Sequence, residues 1–160
     1  MLLCLLMFSG SALAQADKAQ NDLFKREAVS LRAVVDDAAS SVVPGAGVLQ
    51  SAKATYLEGY GIVISIEAAL EPTRNPFSSS KTPADVRALV TQRRKDLQQK
   101  LENMLKERTG ALQSIAPAES VSIVVYLFNS NPADLPNLPA QFVLTSKKQD
   151  PSRITVREFQ

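Results

Sequence analysis

Between Tyr56 and Glu67 the chain reads Tyr-Leu-Glu-Gly-Tyr-Gly-Ile-Val-Ile-Ser-Ile-Glu. Two glycines two positions apart around a tyrosine mark a turn, and the β-branched run after them marks a strand. With period-two alternation, Ile62, Ile64 and Ile66 share one face, and Val63, Ser65 and Glu67 the other. The isoleucines are expected to face the core. Ser51 to Leu57, just before the turn, completes a β-hairpin.

Downstream of this hairpin lies a segment with two prolines and a serine run, Glu71 to Lys81, which reads as a loop. The spacing of Val86, Leu89, Val90, Leu97, Leu101, Met104 and Leu105 then predicts a helix from Pro83 to about Thr109. Thr82 is placed as its N-cap. Pro83 suits the first helical position, and Asp85 lies where the helix dipole favours negative charge. Gly110 is a fitting stop. Ser120 to Phe128 is the second strong strand. Val121, Ile123, Val125 and Leu127 occupy one face, and Val124, Tyr126 and Phe128 the other. Apolar character on both faces points to a central strand. A loop with Pro132, Pro136 and Pro139 leads to a shorter strand at Gln141 to Ser146. Thr155 to Glu158 has the form of a capping box flanked by Ile154 and Phe159, so the last residues are read as the start of a helix.

Upstream of the hairpin, Phe24, Ala28, Leu31, Val35, Ala38 and Val42 form a thin apolar stripe on a helix from Lys18 to about Val43. Pro44-Gly45-Ala46-Gly47 is expected to end it. The stripe holds two alanines among its six members, so this helix needs a partner surface.

The fold expected from these elements is α+β. It is a small antiparallel sheet of about four strands in ββαββ order, with one long helix across a face and an additional N-terminal helix. The division expected is residues 1–14 as a signal peptide, 15–47 as the N-terminal helix and linker, and 48–160 as the α+β domain. The signal reading rests on the uncharged apolar opening Met1 to Phe8 and the small-x-small site Ala12-Leu13-Ala14. The opening is too short to span a bilayer, which takes about 20 apolar residues. The expectation is therefore an exported chain, periplasmic or extracellular, with no transmembrane span after cleavage.

Composition removes many chemistries. The chain has no His and no Trp, and its one cysteine, Cys4, falls within the expected signal. The processed chain would have no disulfide, no Cys or His metal site and no Cys or His nucleophile or base. A Ser-His-Asp triad is excluded. No calcium-loop run of acids is present. The adjacent acids Asp36 and Asp37 diverge by about 100° on a helix, and Glu58 and Glu67 stand apart along the hairpin. The expectation is a non-enzyme with neither cofactor nor metal. A formal charge of +2 is too small to imply nucleic acid.

The run Tyr56-Leu57-Glu58-Gly59-Tyr60-Gly61-Ile62-Val63 resembles the hairpin of a family of uncharacterised bacterial secreted proteins. There, a Tyr-Leu-x-Gly-Tyr-Gly turn precedes a hydrophobic strand. Lys147-Lys148-Gln149-Asp150 and Ile154 to Phe159 resemble its later elements. The resemblance spans roughly Lys53 to Phe159. It implies export and an α+β fold, and it brings no assigned activity.

Tyr56, Gly59, Tyr60 and Gly61 are the candidate contact site. A glycine turn lets backbone approach a ligand, and tyrosines offer an apolar face with a polar end. The same four residues also suit a plain turn with packing tyrosines. The basic residues of the long helix, among them Arg87, Arg93, Arg94, Lys95 and Lys100, are read as a solvated face, because acids are interspersed among them. The function expected is a non-catalytic cell-envelope protein whose partner is an envelope protein, or a second copy, held through the N-terminal helix. The alternative is a small-ligand carrier using the hairpin and sheet face, and a carboxylate enzyme comes third.

Overall fold

The computed structural model describes residues 9–43, 47–72, 82–130, 132–133 and 135–160, with side chains from Lys18 onward. Helix α1 (Ser9–Val42) is followed by strands β1 (Val48–Leu57) and β2 (Gly61–Ala69) and by helix α2 (Pro83–Arg108). Strands β3 (Ser120–Phe128), β4 (Gln141–Lys147) and β5 (Asp150–Phe159) complete the chain. The strands form one sheet in the order β1-β2-β3-β4-β5. The class is α+β, as expected. The residues expected to end α1 (44–46), most of the loop after β2 (73–81) and the first eight residues of the expected signal lie outside the described residues.

Two expectations are corrected. The sheet has five strands rather than about four, and it is mixed. β2 and β3 run parallel, with Gly61 opposite Ser120 and Ala69 opposite Phe128, whereas the other three pairings are antiparallel. The reason is the connection. A chain leaving β2 through a long helix returns to the end from which β2 started, so the next strand enters in the same direction. The second correction is at the C-terminus. Asp150–Phe159 is strand β5, and the order is ββαβββ. The residues of the apparent capping box, Thr155 and Glu158, pair with Thr145 and Phe142 of β4. A ladder along β4 provides backbone partners for the whole segment, whereas a helix starting at Thr155 would have almost no length over which to repay its nucleation.

Both helices lie on one face of the sheet and share its core. The α1 stripe is buried there at Ala28, Leu31, Val35 and Ala38, and α2 contributes Val90, Leu97, Leu101, Met104 and Leu105. They meet Ile62, Ile64 and Ile66 of β2, Val121, Ile123 and Val125 of β3, and Phe142 and Leu144 of β4. α2 begins as its sequence predicts. Thr82 Oγ1 accepts from the Asp85 amide at 3.2 Å, and the Asp85 carboxylate accepts from the Thr82 amide in return. Its Arg94 pairs with Glu158 of β5. On the other side, Asp36 Oδ1 accepts the Ala52 amide at 2.7 Å where β1 bulges out of register. A buried amide left without its ladder bond is thus satisfied by the helix above it.

Glu27 of α1 holds the segment leading into β3. Its carboxylate accepts the amides of Gln113 at 2.7 Å and Ser114 at 3.0 Å. Burial pushes this carboxyl up, but the Gln113 and Ser114 amides, helped by the charge of Lys148, outweigh it and hold it below its ordinary 4.5. The folded chain therefore prefers the ionised form. The stabilisation is present above the unfolded value and is lost as pH falls through the lower, folded value. Thermal melts from about pH 6 down to about pH 3 are expected to show a wild-type advantage over Glu27→Gln that shrinks as pH falls. A constant difference across that range would mean that Glu27 acts by packing and not by charge.

Candidate functional site

The hairpin turn separates its two tyrosines. The Tyr56 ring lies on the helix side, 6.0 Å from the Phe24 ring of α1 at 52°. Its hydroxyl donates to Glu119 Oε1 at 2.8 Å. That bond to a carboxylate, with burial and the charges of Glu119 and Glu58, raises the phenol above its ordinary 10.0. The other Glu119 oxygen accepts the Ala116 amide at 2.7 Å. Tyr56 therefore fastens the hairpin to the entry of β3, and it is not free for a ligand.

Tyr60 goes the other way. Its hydroxyl stands 2.6 Å from Ser122 Oγ, which in turn stands 2.8 Å from Thr145 Oγ1. Three hydroxyls from the turn, β3 and β4 thus form a short chain on the sheet face opposite the helices. Gly59 and Gly61 both have positive φ, 74° and 116°. Gly61 is also packed against Ser120, while Gly59 has open space around its Cα. Of the four expected site residues, only Tyr60 reaches this second face with its side chain.

That face contains what the sequence reading left out. No helix of the described residues covers it. Across the strands, Gln50, Glu67, Tyr126, Gln141 and Phe159 stand in one row by register. Phe128, two residues beyond Tyr126 on β3, stands on the same side. Tyr126, Phe128 and Phe159 remain 48%, 49% and 44% exposed. Beside Tyr126 a groove of about 370 Å³ is lined by Gln50, Lys53, Ser65, Ile66 and Glu67. The signal for these residues is visible in the sequence as the second face of β3, but only the sheet order brings Phe159 to the same row.

Glu67 is the single carboxylate in the row, so no acid and base face each other across a bound atom there. Among the described residues no cluster of three or more His, Cys, Asp or Glu side chains could hold a metal ion. No helix of the described residues is long and apolar enough to cross a membrane. Comparison of the chain with family models, with curated proteins and with solved structures found no match in any of the three.

Proposed function

We propose that this is an exported, non-catalytic cell-envelope protein that binds an envelope component on the bare face of its sheet. The observation that carries this reading is one-sided clothing: both helices bury on one face, and three aromatic rings stay about half exposed on the other. Aromatic side chains left exposed together on a rigid surface are characteristic of contact sites. The N-terminal helix is the poorer candidate surface, because its apolar stripe is buried in the chain's own core. Export rests on the apolar opening and the Ala12-Leu13-Ala14 site, and on the family resemblance of the hairpin.

A second reading, a small-ligand carrier, is favoured by the groove beside Tyr126, whose volume of about 370 Å³ lies at the lower end of small-molecule sites.

One experiment separates these readings. A photoreactive phenylalanine analogue is placed at position 126 or 159 in the protein expressed in its own host. Cross-linking to a macromolecule of the envelope is expected at both positions and not at position 87, which is exposed on α2. A small adduct at position 126 alone would favour the carrier. Equal adducts at all three positions, or none at 126 and 159, would overturn the proposed binding face.

A further inference from the structure

The row across the bare face has a composition that selects among ligand chemistries. It alternates flat polar groups with aromatic rings: the Glu67 carboxylate, Tyr126, the Gln141 amide, then Phe159. Neighbouring strands lie about 4.8 Å apart, so Tyr126 and Phe159, two strands apart, are spaced by roughly 10 Å. The Glu67 carboxylate has no hydrogen-bond or ion-pair partner among the described residues. Gln50 and Lys53, hydrogen-bonded to each other at 3.2 Å, close the groove at the β1 end.

A pyranose ring has the complementary surface. Its C–H face is attracted to the electron-rich face of an aromatic ring. Its rim of hydroxyls both donates and accepts, which suits a free carboxylate and an amide side by side. In a β-1,4-linked chain successive rings flip by half a turn and the chain stays extended. Its repeat is a disaccharide, comparable in length to the two-strand spacing between the rings. A coiled α-linked chain does not keep two rings on one nearly flat surface.

Building on the binding face proposed above, we infer that its ligand is a β-1,4-linked polysaccharide strand laid across the β-strands. Sugar rings stack on Tyr126 and Phe159, and their hydroxyls bond to Glu67 and Gln141. The groove beside Tyr126 takes the neighbouring sugar.

The test is titration of the full chain with chitohexaose and with cellohexaose, followed by the amide shifts of the isotope-labelled protein. At least one of the two is expected to shift residues 65–67, 124–128, 141–143 and 157–159, while α-linked maltohexaose leaves them in place. Tyr126→Ala and Phe159→Ala are each expected to weaken binding at least about tenfold, the loss of an aromatic platform. Arg87→Ala should bind as wild type, and the amide spectra of all variants report whether they fold. No shift with either β-linked sugar, equal shifts with maltohexaose, or binding of an oligouridylate instead would overturn the inference. If the sugars fail while position 126 still cross-links to an envelope protein, the glycan assignment falls and the binding face stands. If both fail, the face falls too.

Discussion

Replacing Gly61 with valine is expected to leave the chain largely unfolded, whereas Gly59→Ala, two residues away in the same turn, is expected to remain folded. Both glycines have positive φ, so conformation alone does not separate them. The surroundings do. A Cβ on Gly61 would lie 2.1 Å from the Ser120 carbonyl oxygen and 2.9 Å from its amide nitrogen. Both are backbone atoms at the point where β3 enters beside β2, and the Ser120 amide is held at 2.8 Å by the Tyr60 carbonyl. Neither strand can retreat without breaking the parallel ladder that begins there. Backbone strain of about 1–3 kcal/mol adds to a steric clash that cannot be relieved, for a total of roughly 4 kcal/mol or more. Gly59 has nothing within 4 Å of its added Cβ, so only the left-handed backbone penalty applies, about 1–2 kcal/mol. Urea unfolding of the two variants measures the difference. Similar losses would mean that the close approach of Gly61 to Ser120 is not what fixes this turn.

The elements that could be read from the sequence are those whose signals are local. The isoleucines of β2, the capped start of α2 and the α1 stripe from Phe24 to Val42 lie where their periodicity puts them, because burial and helix caps act within a few residues. What could not be read locally was direction and pairing. Alternation along Ser120–Phe128 gives two faces, but not whether the strand runs with or against Ile62–Ile66. The clue was the long helical connection between them, which is the usual route to parallel neighbours. At Thr155–Glu158 a local capping pattern competed with β-branched residues, and the free edge of β4 decided for the strand.

The candidate site was legible only in part, for a related reason. Tyr56, Gly59, Tyr60 and Gly61 stand out as a cluster in the chain, yet a turn between two strands sends alternate side chains to opposite faces. Tyr56 consequently packs under α1 while Tyr60 bonds to Ser122. Val124, Tyr126 and Phe128 were read as evidence of a central strand. The strand is central, but its second face is bare. An apolar face reads the same in sequence whether the chain covers it or a ligand does.

Adjacent residues of β3 test this one-sided clothing directly. Val125 is fully buried beneath the helices, whereas Val124 lies on the bare face between Ser65 and Val143. An aspartate at 125 would place an unpaired charge in an apolar core, a loss of several kcal/mol and enough to unfold a domain of this size. An aspartate at 124 keeps contact with water and pays only for a poor strand residue, about 1 kcal/mol. The measurement is equilibrium urea unfolding of Val124→Asp and Val125→Asp beside the wild type. A nearly wild-type transition is expected for Val124→Asp and no folded baseline for Val125→Asp. Comparable destabilisation by the two would show that both faces of the sheet are buried, and would contradict a bare face available for binding.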